Sequence, residues 1–96
     1  MIAVRQTDVF RDWLLNLRDR EARARITVRI RRLSLDNPGD VKSVGRGVFE
    51  MRIDYGPGYR VYFVWRGIQA VILLCGGDKR TQENDIALAM QMAQEV

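Results

Sequence analysis

The strongest pattern in this chain lies in residues 47–65, GVFEMRIDYGPGYRVYFVW. Polar and apolar residues alternate on both sides of YGPG, and a period of two is typical of β-strands, whose successive side chains point to opposite faces. The glycines and the proline of YGPG predict a turn. We therefore expect an antiparallel hairpin with one polar face. That face carries the even-numbered residues Glu50, Arg52, Asp54, Arg60 and Tyr62.

The segments around this hairpin predict a small α+β domain. Period-two alternation, helical spacing of apolar residues and turn-forming clusters separate the elements. The expected elements are a strand at 2–6, a helix through 9–17, a helix from near Arg18 to about Leu35, strands at 48–54, 59–65 and 70–75, and a helix at 82–94. This order, strand-helix-helix-strand-strand-strand-helix, predicts a mostly antiparallel sheet with an αα-hairpin packed on one face. Because residues 70–75 are continuously apolar, we expect their strand to be central.

Length and composition limit the domain count and the class of protein. A chain of 96 residues has a core large enough for one domain, residues 1–96. No apolar run approaches the roughly 20 residues that span a bilayer. Early charge in MIAVRQTD argues against a signal peptide, and a single cysteine fits a reducing compartment, so we expect a cytoplasmic protein without membrane contact.

The basic residues indicate an anionic partner. Net charge is +4, and only Lys42 and Lys79 among the 16 basic residues are lysines. Arginine suits bidentate recognition of phosphate. Histidine is absent, which removes the commonest acid, base and metal ligand. We therefore expect no metal and no cofactor.

Cations approach the predicted hairpin from four segments. Besides Arg52 and Arg60, the loops at the strand ends carry Lys42, Arg46, Lys79 and Arg80. A solvated sheet face, with Glu50 neutralising the arginines, is one interpretation; a groove that holds phosphates is the other. The second helix presents a similar choice, because Arg25, Arg29 and Arg32 form a stripe that is either a solvated face or a footprint for nucleic acid.

Two motifs resemble those of a known family. The runs VFEMRIDYGPGYRVYF and LLCGGDKRTQENDIALA, together with the element order, resemble the RelE/HigB-type toxins of bacterial toxin-antitoxin modules in the RelE/ParE superfamily, and most closely the addiction module killer proteins. The resemblance covers nearly the whole chain. It implies a RelE-like fold and a small cytoplasmic toxin that cleaves mRNA on the ribosome. It also implies a cognate antitoxin, often a helix-turn-helix protein in this branch.

The resemblance also implies site residues. Arg60 matches the strand arginine that contacts the scissile phosphate in RelE-like enzymes, and Arg52 falls where RelE has a basic residue. Lys79 and Arg80 match the basic pair after the last strand. Two positions depart from the pattern: Glu50 stands where RelE has a lysine, and Ile86 stands near the position at which RelE has a catalytic tyrosine.

Metal-independent RNA cleavage needs a base for the 2′-hydroxyl, cations for the charge on phosphorus and an acid for the leaving oxygen. We predict Glu50 as the base and Arg52 and Arg60 as phosphate clamps. Lys79 or Tyr62 is the predicted acid. Arg80 completes the catalytic set, and the predicted RNA-binding residues are Lys42, Arg46 and Tyr62.

Two alternatives share this fold and this charge. A ParE-like toxin inhibits DNA gyrase and needs no hydrolytic site. A non-catalytic RNA-binding module uses its arginines only to hold phosphate. Cations from four segments favour the ribosome-dependent endoribonuclease, whose partners are the ribosome, mRNA and the antitoxin.

Overall fold

The predicted hairpin forms the middle of a five-stranded sheet. The computed structural model describes residues 1–96. Its elements are β1 (Ala3–Gln6), α1 (Asp8–Leu15), α2 (Arg20–Ser34), β2 (Val41–Gly45), β3 (Val48–Ile53), β4 (Tyr59–Arg66), β5 (Ala70–Gly77), a short 3-10 turn (Lys79–Thr81) and α3 (Gln82–Glu95). The α+β class and the predicted order are confirmed, with one additional strand, β2. None of the helices is long and apolar enough to cross a membrane.

The strand order across the sheet is β1-β5-β4-β3-β2. β1 pairs with β5 in parallel, and every other pairing is antiparallel, which confirms a mostly antiparallel sheet. β5 lies inside the sheet, as its apolar run predicts, although β4 occupies the middle position. β2 lies at an edge, and its pairing with β3 is irregular between Ser43 and Gly45. Edge strands need little apolar alternation, so the sequence pattern of β2 is weak.

Side-chain caps define where α1 and α2 begin. Thr7 accepts a hydrogen bond from the backbone N–H of Phe10 at 3.0 Å and so caps the first helix. Asp19 accepts bonds from the N–H groups of Glu21 at 2.9 Å and Ala22 at 3.2 Å. The second helix therefore starts at Arg20, two residues after the start predicted near Arg18.

Helices cover both faces of the sheet. α1 and α2 pack on the odd-numbered face of the hairpin, where their Phe10 and Ile26 belong to the same buried cluster as Met51 and Phe63. This arrangement confirms the αα-hairpin on one face. α3 packs on the even-numbered face, where its Ala89 joins a second buried cluster.

The interpretation of the even-numbered face as solvated is therefore wrong for much of that face. Tyr62 and Val64 are buried beneath α3, together with Val48 and Cys75. The physical reason is the apolar stripe of α3, which removes its own surface from water by covering this face. The end of the face near Arg52, whose side chain is 36% exposed, remains open to solvent.

The packing of α1 against β5 depends on a glycine. A Cβ atom at Gly76 would lie 2.3 Å from Cζ3 of Trp13, closer than two carbon atoms can approach. We expect Gly76→Ala to lower the free energy of unfolding by about 3 kcal/mol, because the rigid indole must move. Urea unfolding followed by tryptophan fluorescence measures this change.

Gly47→Ala is the control, since that position has a φ of +78° but no atom within 4 Å of a new Cβ. Its cost is the backbone strain alone, about 1 kcal/mol. Equal losses for the two variants would contradict the steric argument.

Candidate anion-binding cleft

Two arginines lie directly opposite each other on β3 and β4. Arg52 pairs with Arg60 in the antiparallel register, as the hairpin parity predicts. Like charges in this position destabilise a sheet. Both arginines contact one carboxylate, that of Glu50, which precedes Arg52 by two residues and shares its face. The pair is thus stabilised by a shared countercharge.

The side chain of Glu50 is completely buried, and both of its carboxylate oxygens accept hydrogen bonds. Its Oε1 accepts a hydrogen bond from Nε of Arg52 at 2.8 Å. Its Oε2 accepts one from the hydroxyl of Tyr62 at 3.0 Å and one from the side-chain amide of Gln82 at 2.8 Å. Burial alone raises the pKa of Glu50, but these hydrogen bonds outweigh it and hold the pKa below its ordinary value. The carboxylate is therefore a stable anion inside the protein.

Arg60 is held between this carboxylate and the YGPG turn. Its side chain is only 10% exposed, and its Nε lies 3.6 Å from Oε2 of Glu50 without a hydrogen bond of its own. Its Nη1 donates to the carbonyl of Gly58 at 2.6 Å. Gly58 has a φ of +80°, a conformation that glycine adopts without strain and that directs this carbonyl.

These groups line a cleft of about 400 Å³. Lys79 reaches it from the 3-10 turn after β5, so three separate segments contribute one cation each. The complete lining is Asp40, Arg52, Ile53, Asp54, Gly56, Pro57, Gly58, Tyr59, Arg60 and Lys79. Three cations face two carboxylates here, and such a mixture suits a singly charged phosphodiester.

Three of the predicted cations lie outside this cleft. Arg80 is 81% exposed and pairs with Asp78, its Nη2 lying 3.0 Å from Oδ2. Lys42 lies opposite Glu50 on β2, so it is on the same face of the sheet as Arg52 and on the neighbouring strand. Arg46 lies in the turn before β3, roughly 20 Å from Arg52 at the rise of an extended strand. The structure does not bring Arg46 together with the other cations.

Two predicted roles do not fit the positions of their residues. Tyr62 is completely buried, so it cannot contact RNA. Burial, and then the hydrogen bond to Glu50, raise the pKa of its hydroxyl, which argues against proton donation to a substrate. Glu50 has no exposed oxygen, and its hydrogen bonds leave no room for a 2′-hydroxyl. Its place is that of a countercharge rather than a base.

Sequence comparison provides the family. Residues 12–94 match the family described as "Phage derived protein Gp49-like (DUF891)". The chain belongs to the Gp49-like family. A relative from Haemophilus influenzae, which carries the name "Uncharacterized protein", is 50% identical over 95 residues, covering 99% of this chain and 96% of the relative. The matched segment includes every residue that lines the cleft.

Sequence reasoning missed one residue that lines the cleft of this Gp49-like protein and one that lies behind it. The sequence pattern places Asp40 only in the turn after α2, yet its segment runs beside the end of β3, where its carbonyl accepts the N–H of Arg52 at 2.9 Å. The same pattern gives Gln82 no role beyond a helix start. The available signal was the GGDKRTQ run, which places Gln82 three residues after Lys79.

Two arginines of the stripe on α2 make contacts within the protein. Arg29 donates hydrogen bonds to the carbonyls of Arg52 and Pro38, and burial lowers its pKa. Arg25 pairs with Glu21 at 2.9 Å and lies over the ring of Tyr55, 4.6 Å from its centroid. Arg29 therefore secures the end of β3 beside the cleft. This use weakens the alternative of a dedicated nucleic-acid footprint on α2.

Proposed function

We propose that this Gp49-like protein is the toxin of a type II toxin-antitoxin module and acts as a ribosome-dependent endoribonuclease that cleaves mRNA and blocks translation. The observation that carries the proposal is the cross-strand pair of Arg52 and Arg60, held on a buried carboxylate at the mouth of a cleft. A pair of like charges needs such support, and a bound phosphodiester stabilises it further. The family is associated with toxin-like addiction modules, which supports the same interpretation.

The cleft supplies cations for metal-independent cleavage. The 2′-hydroxyl attacks the adjacent phosphorus, loses its proton to a base and displaces the 5′-oxygen, leaving a 2′,3′-cyclic phosphate and a 5′-hydroxyl. Arg52 and Arg60 bind the non-bridging oxygens, whose negative charge grows in the transition state. Lys79, an exposed ammonium group at the cleft, donates the proton to the leaving oxygen.

The accessible carboxylates are better candidates for the base than Glu50. Asp40 and Asp54 are exposed and line the cleft, whereas Glu50 is buried behind the arginines. A general base must come within hydrogen-bond reach of the proton that it accepts. We assign the base to Asp54 or Asp40 and give Glu50 the task of positioning the arginines.

The proposed partners follow from this activity. The protein acts in the cytoplasm on mRNA bound to the ribosome, and a cognate antitoxin neutralises it. The resemblance to addiction module killer proteins favours a helix-turn-helix antitoxin. The open, positively charged cleft offers an acidic segment of that antitoxin a complementary surface.

Primer extension on a reporter mRNA after brief induction tests the proposed activity. We expect new 5′ ends within codons of the translated region, and none when translation is blocked beforehand. Arg52→Ala/Arg60→Ala is the inactive comparison, and Arg5→Ala/Arg31→Ala, which removes two exposed arginines on β1 and α2, is the charge-matched control. A DNA damage response without mRNA cuts would instead identify a gyrase inhibitor. RNA binding without cuts would identify a non-catalytic module.

A further inference from the structure

Gln82 connects the start of α3 to the buried carboxylate of the cleft. It is the first residue of α3, and its side-chain amide donates a 2.8 Å hydrogen bond to Oε2 of Glu50, 32 positions earlier in the chain. The preceding 3-10 turn is fixed by Asp78, which accepts the N–H of Arg80 at 2.8 Å and forms a capping box with Thr81. The capped turn therefore fixes the position from which the amide of Gln82 reaches Glu50.

The hydrogen bonds of Glu50 are unevenly divided between the two arginines. Arg52 has a 2.8 Å bond to Oε1, whereas Nε of Arg60 remains 3.6 Å from Oε2 and has no partner. Gln82 and Tyr62 occupy Oε2 instead. If the amide of Gln82 were absent, Tyr62 alone would hold Oε2, and this oxygen could shift onto the vacant N–H of Arg60, because an unpaired buried donor is costly.

We propose that Gln82 is a positioning residue of the cleft, whose amide holds Glu50 against Arg52 and thereby leaves the guanidinium of Arg60 directed at a phosphodiester. The inference rests on the proposed function for the identity of that ligand. Gln82 does not line the cleft, so it acts through Glu50 and touches no substrate.

Binding of a non-cleavable RNA tests this role without a ribosome. The probe is a fluorescein-labelled, fully 2′-O-methylated RNA hexamer, measured by fluorescence anisotropy at fixed salt. We expect Gln82→Ala to weaken binding about tenfold, since one charge-assisted hydrogen bond that orients the site is lost. Gln91→Ala, an exposed amide on the same helix, leaves binding unchanged. Equal affinity of Gln82→Ala and the wild type would overturn the proposal.

A spectroscopic readout separates positioning from mere stabilisation of the helix. In the folded protein, the Nε–H resonances of Arg52 and Arg60 report their hydrogen bonds in ¹⁵N-edited NMR. We expect Gln82→Ala to shift the Arg60 signal downfield and slow its exchange, as its Nε bonds to Glu50. An unchanged Arg60 signal in folded Gln82→Ala would also overturn the proposal, whatever the RNA result.

Gln82→Glu supplies a pH-dependent version of the same test. Two carboxylates in this contact share a proton, which raises the pKa of the pair. Below that pKa the introduced carboxyl group is protonated and donates to Glu50 as the amide of Gln82 does; above it the extra negative charge repels Glu50. The charged or titratable groups around this contact are Lys42 on β2, Glu50 and Arg52 on β3, Arg60 and Tyr62 on β4, and Asp85 on α3.

We therefore expect the RNA affinity of Gln82→Glu to approach that of the wild type at low pH and to fall progressively as the pH rises. The wild type and Gln82→Ala lack this transition. A pH profile of Gln82→Glu that parallels the wild type would overturn the proposal. Because these measurements need no cleavage, their failure is distinguishable from a failure of the primer-extension test.

Discussion

Arg60→Ala is expected to reduce mRNA cleavage by about 100-fold or more, the usual consequence of removing one preorganised group that stabilises transition-state charge. The guanidinium is oriented before any substrate arrives by the hydrogen bond of its Nη1 to the carbonyl of Gly58, and the carboxylate of Glu50, 3.6 Å from its Nε, balances its charge. Ordering a free arginine would cost side-chain entropy at the moment of reaction. Arg60→Lys retains the charge but loses the planar fork, so we expect most of the activity to be lost in this variant too.

The rate of reporter mRNA cleavage in a purified translation system measures this effect. Arg5→Ala removes the same charge from an exposed position on β1, outside the cleft, and should cleave at the wild-type rate. Unfolding midpoints identify any loss of folded protein, because the Arg60 side chain is largely buried. Cleavage by folded Arg60→Ala at the wild-type rate would refute the phosphate-binding role.

Glu50→Ala is expected to lower the free energy of unfolding by about 4 kcal/mol. Removal of this fully buried carboxylate leaves the Arg60 side chain without its countercharge and Tyr62 without its hydrogen-bond acceptor. Glu50→Gln retains the shape and one acceptor oxygen, so we expect a smaller loss. Chemical denaturation at pH 7 measures both variants, and a loss below about 1 kcal/mol in Glu50→Ala would refute the countercharge role.

The pH dependence of stability identifies the charge of Glu50 as the cause. Its pKa in the folded protein lies below the ordinary value that it has when unfolded, so the ionised form stabilises the fold. This contribution is fully present above the ordinary pKa and is lost as the pH falls through the lowered one. We therefore expect the stability difference between the wild type and Glu50→Gln to shrink as the pH falls below the ordinary pKa of a glutamate and through the lowered pKa of Glu50. A constant difference across this range would contradict the assignment.

The local sequence pattern was sufficient to predict the hairpin, because the pleat of a strand places alternate side chains on opposite faces of the sheet. Arg52 and Arg60 are eight residues apart around a turn, and the observed register pairs them as that spacing predicts. The starts of α1 and α2 were predicted to within two residues, since the signals for a helix start are contacts between near neighbours. β2 was not, because its pairing depends on β3 and its own sequence contains polar residues and a glycine.

The local sequence pattern could not predict the burial of Glu50. Alternation places Glu50 and Tyr62 on one face of the hairpin but does not say which helix covers that face. The apolar stripe of α3 requires a partner surface, yet the choice of the even-numbered face depends on where the chain leaves β5. A carboxylate predicted to face solvent as a base is therefore enclosed, and Gln82 becomes its partner.

The parallel pairing of β1 with β5 has a consequence during synthesis. The N-terminal strand has no partner until residues 70–73 have been made, and Glu50 remains without Gln82 until α3 follows. Domains fold during translation as their parts become available. A nascent chain therefore lacks the complete set of hydrogen bonds on Glu50, and with it the complete cleft, until α3 has been synthesised and has folded.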